Sequence, residues 1–118
     1  MFINLTNHAS ENWSKEQLEA AKEYGEIIDL QFPNVSPEAS KEEIDLLANE
    51  YLDEILECET TCVLCQGEFC FSYALINKLK EHHVKVVAAC SERIVEEETS
   101  ASGTRRISYF KFVQFREY

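Results

Sequence analysis

The chain has 118 residues, 45% of them hydrophobic, with seven Phe, five Tyr and one Trp, and carries a formal net charge of −11. That length allows one domain with a single core and no second. The charge repels long polyanions, which excludes a broad face for duplex nucleic acid but not a small anion held locally at a helix N-terminus.

Phe2 to Thr6 reads as strand one, followed by the polar loop Asn7 to Asn12. Ser14-Lys-Glu-Gln17 has the form of a capping box, which starts helix one at Lys15 and runs it to about Tyr24, with Gly25 as the stop. Its apolar stripe (Leu18, Ala21, Tyr24) is thin. Glu26 to Leu30 is strand two, and Asn34 to Ala39 a loop. Ser40-Lys-Glu-Glu43 is a second capping box. Helix two follows it, with Ile44, Leu47, Ala48, Tyr51, Leu52, Ile55 and Leu56 on one continuous apolar face.

Strand three is the uncharged run Cys62-Val-Leu-Cys65, apolar on both faces as a central parallel strand must be. The polar trio Gln66-Gly67-Glu68 ends it, and helix three covers Phe69 to His82. Val84 to Cys90 is strand four, with a half-polar extension from Ser91 to Glu98. Thr99 to Thr104 is a turn, and Arg106 to Glu117 the antiparallel return of a hairpin. The order β-α-β-α-β-α-β-β predicts a three-layer Rossmann-like (flavodoxin-like) α/β domain over residues 1–118, with sheet order 2-1-3-4-5 and strand five antiparallel.

No stretch approaches the ~20 apolar residues of a membrane span, so no membrane association is expected. The N-terminus lacks a basic region ahead of an apolar core, so it is not a signal peptide. Five cysteines in mostly apolar contexts fit reduced thiols in a cytoplasm. Cys62 and Cys65 are three apart in a strand and so point to opposite faces. A redox or zinc pair needs converging sulfurs, so no metal and no cofactor is expected.

Ligand sites in open α/β sheets lie at the carboxyl ends of the strands, where the strand order reverses, here between strands one and three. Three polar clusters fall at that edge: Thr6, Asn7, His8 and Ser10; Gln66, Gly67 and Glu68; Ser91, Glu92 and Arg93. His8 is the candidate general acid or base, since an imidazole gives and takes protons near neutral pH. Glu68 is a second candidate base or a ribose ligand, although an acid opening helix three also suits the helix dipole. Arg93 is the candidate phosphate clamp, unless a neighbouring acid such as Glu92 or Glu96 claims it. Trp13 reads as an apolar staple beside helix one rather than a stacking platform.

Asn4-Leu-Thr-Asn-His8, Gln66-Gly-Glu-Phe69, Ser91-Glu-Arg93 and the ending Phe112-Val-Gln-Phe-Arg-Glu-Tyr118 together resemble small CRISPR-associated proteins of the CARF-like, Rossmann-related kind. The resemblance implies a homodimer that binds cyclic oligoadenylate at the strand tips, and in ring nucleases a metal-independent cleavage that sets the ribose 2′-hydroxyl against its phosphate. On it, His8 and Glu68 would be catalytic, and Thr6, Asn7, Ser10, Gln66, Gly67, Ser91 and Arg93 would hold a small anionic nucleotide. Arg93 is the only cation so placed, few for a ring of phosphates. The alternatives are a non-catalytic module for a nucleotide or other metabolite, and a dimeric interaction protein using its aromatic last strand.

Overall fold

Sequence patterning and packing agree best in the middle of the sheet. A computed structural model describes residues 1–118. Strands β1 (Phe2–Leu5) and β3 (Cys62–Cys65) are fully buried along their lengths. They pair in parallel, with Phe2 level with Cys62 and Leu5 level with Cys65. β2 (Ile27–Asp29) flanks β1 on the other side. β4 (Lys85–Ser100) lies parallel to β3, and β5 (Gly103–Glu117) returns antiparallel along β4. The sheet order is therefore β2-β1-β3-β4-β5.

Alternation of side chains divides the core into two layers. Ile3, Leu5, Val63, Cys65 and Val86 face helices α2 (Lys41–Glu57) and α3 (Phe69–Glu81) and pack with Ala48, Leu52, Ile55, Phe71, Leu75 and Leu79. Phe2, Cys62, Leu64 and Val87 face the other way, towards α1 (Lys15–Lys22). Cys62 and Cys65 thus sit in opposite layers. α1 buries only Ala21, so Trp13, Tyr24 and Phe115 complete the smaller layer. Phe115 lies 5.1 Å from Phe2, and Trp13 meets Phe2 edge-on at 6.2 Å.

The helix ends follow the local chemistry. Ser14 accepts from the Gln17 amide and Ser40 from the Glu43 amide, as the capping boxes require. α3 ends on His83 in the left-handed region (φ 59°). The His83 amide donates to Lys80 and the Val84 amide to Leu79, the two bonds of a Schellman cap.

β4 carries on as full strand through its half-polar extension to Ser100, so the turn expected over Thr99 to Thr104 shrinks to Ala101 and Ser102. The segment Ser91 to Glu98 keeps its strand because cross-strand pairs favour it: Arg105 meets Glu98 at 2.9 Å and Arg106 meets Glu97 at 3.8 Å. Val113 is skipped in the register between Cys90 and Ser91, a bulge that marks where the ribbon leaves the sheet. Beyond it a two-stranded arm projects, and the molecule measures 58 × 37 × 21 Å. No helix is long and apolar enough to cross a membrane.

Candidate functional site

β1 and β3 deliver their polar loops side by side, with the Gln66 amide donating to the Leu5 carbonyl at 3.3 Å. Within the β1 loop the polar residues brace one another. Asn4, 2% exposed, donates through Nδ2 to the His8 carbonyl and to Asp29 Oδ1, both at 2.8 Å. Its Oδ1 accepts from the Thr6 hydroxyl at 2.9 Å, and the Thr6 oxygen accepts from the His8 amide at 3.1 Å. The Ser10 hydroxyl donates to Asp29 Oδ2 at 2.9 Å. Thr6 and Ser10 are therefore spent on loop architecture, while Asn7 and His8 are exposed on a loop held from beneath.

Asn4 and Asp29 are the two residues that sequence reasoning missed. The signal was present: an Asn inside an otherwise apolar strand must find partners once buried, and the next strand over ends on an acid.

The trio after β3 is also engaged. Gln66 extends the β3–β4 ladder with its side chain, its Oε1 accepting from the Ala89 amide at 2.9 Å. Gly67 is demanded by packing, because a Cβ there would overlap the ring of Phe32. Phe32 is fixed in turn by an edge-on contact with Phe71 at 5.3 Å. Glu68 is the N-cap of α3, accepting from the Cys70 amide at 3.0 Å and the Phe71 amide at 2.7 Å. The bond from Phe71, reinforced by that from Cys70, holds its carboxyl below the ordinary glutamate value. The protein's own carboxylate thus occupies the donors that an external anion would need at this helix start.

Ser91 and Arg93 are not at a strand end. They lie on the arm, where Ser91 pairs with Phe112 and Arg93 with Phe110. Arg93 is exposed and takes part in none of the four ion pairs, so Glu92 and Glu96 do not claim it. At ~3.3 Å per residue it stands roughly 13 Å along the arm from Ala89, the last point tied to β3. Trp13 packs on Phe2 and Phe115, against the sheet rather than in the crevice.

An open groove of about 1360 Å³ lies beside α3. It begins at Gln66, Gly67 and Tyr118 and passes Phe69, Tyr73 and Asn77 towards Lys78 and Lys80. Of the expected site it includes only Gln66 and Gly67. The Tyr118 hydroxyl closes one end by donating to the Cys65 carbonyl at 2.8 Å, and burial raises the Tyr118 pKa.

Fold and site define a Rossmann-like α/β module with a braced polar loop at the switch point and a projecting β-arm. The chain belongs to the Uncharacterized protein MJ1673 family, whose model matches residues 1–116. Comparisons with curated proteins and with solved structures returned no match.

Proposed function

We propose that this protein is a CARF-like module that binds cyclic oligoadenylate, or a related small anionic nucleotide, at the carboxyl ends of β1 and β3 beside the base of the β4–β5 arm, in CRISPR defence. The observation that carries the reading is the Asn7-His8 loop. It stands at the switch point of a 2-1-3-4-5 sheet, its backbone is braced by Asn4, Thr6 and Asp29, and its two side chains are unspent. Such a loop meets a ligand without first paying to be ordered. Arg93 supplies a cation on the neighbouring arm.

The geometry favours binding over cleavage as the main activity. Glu68 is tied to two amides with a lowered pKa, a poor state for a general base. Any ring opening would therefore rest on His8 alone. A non-catalytic site for another small metabolite is the second reading, supported by the same tying of Glu68.

Thermal shift against cyclic tetra- and hexa-adenylate and mononucleotides, with products separated chromatographically, tests both. At a hundred times its dissociation constant a ligand should add about 2.7 kcal/mol of stability. A lasting shift that Asn7→Ala and Arg93→Ala reduce supports a sensor. A shift that decays as linear products form, and persists in His8→Ala, supports a ring nuclease. No shift with any nucleotide sinks the proposal.

A further inference from the structure

The arm is the least explained part of the molecule. An isolated two-stranded ribbon is marginal in water, yet this one extends ten residues of β4 beyond Cys90. One face carries Val95 and Phe110, 45% and 74% exposed, together with Phe112. That face continues into the core, since Phe112 lies 4.9 Å from Phe115, which packs on Phe2. The apolar layer runs out of the domain and stops in solvent.

Charge says what covers it. Residues 1–84 hold 17 acids and 5 lysines, a net −12, whereas residues 85–118 hold 6 cations and 5 acids, a net +1. The arm itself, residues 91–112, holds four cations and four acids, so two arms repel each other less than two acidic bodies do. All four arginines of the chain, Arg93, Arg105, Arg106 and Arg116, are on β4 and β5.

The register is self-complementary. Arg93 pairs with Phe110, Val95 with Ser108, and Glu97 with Arg106, and side-chain alternation sets these three levels on one face. A two-fold axis crossing the ribbon at the Val95–Ser108 level lays β4 on β4 and β5 on β5. Arg93, which has no carboxylate in its own chain, then meets the partner's Glu97, and the Phe110 ring meets the partner's Arg106. Each contact occurs twice. The antiparallel arrangement also sends the two acidic bodies to opposite ends.

We propose that this chain forms a two-fold dimer in which two arms pack antiparallel and face to face through Val95, Phe110 and Phe112. A ribbon about 33 Å long and about 10 Å wide offers a footprint of roughly 330 Å² per copy. That is roughly 660 Å² in all, the size of a weak and reversible contact, so the dimer forms at the high end of a concentration series. The proposal does not rest on the ligand reading, but both call on Arg93, so the apolar Phe110→Ser variant is the one that tests the dimer alone.

Sedimentation equilibrium over a concentration series, with circular dichroism to confirm folding, tests it. The wild-type chain should reach twice its 13.7 kDa, and Phe110→Ser should stay at the monomer mass. Arg93→Glu and Glu97→Arg should each raise the dissociation constant at least about tenfold through like-charge contact, and the double variant should recover most of the loss. A wild-type monomer at every concentration overturns the proposal. So does a dimer indifferent to Phe110→Ser, which would place the interface elsewhere, or a double variant no better than the singles.

Discussion

At the scale of the residue, the polar groups at the sheet tip divide into those the fold consumes and those it leaves free. Glu68 is the clearest consumed case. Its folded-state pKa is depressed from 4.5 by the Phe71 and Cys70 amides. The stability it contributes is therefore complete above the ordinary value and is lost as pH falls through the lowered one. Glu68→Gln should cost roughly 0.5–1 kcal/mol at neutral pH, the small end for a cap because the group is exposed to water. That difference should vanish in acid. Urea titrations of both proteins across that range check it, and a gap that widened on acidification would contradict the cap assignment. Asn7 and His8 are the residues left free, and they were legible in the sequence. The need for a brace could be read from an Asn inside an apolar strand, but its partner could not, because the bond from Asn4 to Asp29 joins positions 25 apart in the chain.

At the scale of the element, β3 shows how a motif is emptied of chemistry by its setting. Cys62 and Cys65 suit a chelating or redox pair by spacing, but a strand turns them into opposite core layers. Burial pushes both thiols up to about 11. Cys70, in the first turn of α3, is exposed. In native protein at mildly alkaline pH, timed alkylation read by mass spectrometry should label Cys70 first and spare Cys62 and Cys65 until unfolding, since only accessible thiolates react. Labelling of Cys65 at the rate of Cys70 would mean the sheet opens readily. The same logic separates α2 from α1. α2 has a full apolar stripe and buries Ala48, Leu52 and Ile55, whereas α1 borrows Trp13 and Phe115 to complete its layer.

At the scale of the whole molecule, the arm decides the shape. The Cα radius of gyration is 17.2 Å, against about 13.5 Å for a compact chain of this length. Small-angle scattering from the monomeric Phe110→Ser variant should give a value near 17.2 Å. A value near the compact limit would mean the arm folds back on its own body. This is also where the expected site comes apart. With β4 running on to Ser100, Ser91 and Arg93 stand on a projecting wall rather than at a strand end.

The alternation of strands and helices, the two Ser caps, the stripe of α2 and the uncharged run of β3 were each written locally, and they determined the layered α/β fold and its strand order. Periodicity and capping depend on neighbours three or four positions away, so one sequence suffices to read them. Three things were decided only by tertiary structure: the overlap that reserves position 67 for glycine, the use of Gln66 as a backbone partner, and the pairing that holds the extension of β4 as a projecting arm. Each depends on which distant residue stands opposite — Phe32, Ala89 and the arginines of β5. Such pairings exist only once the chain has folded.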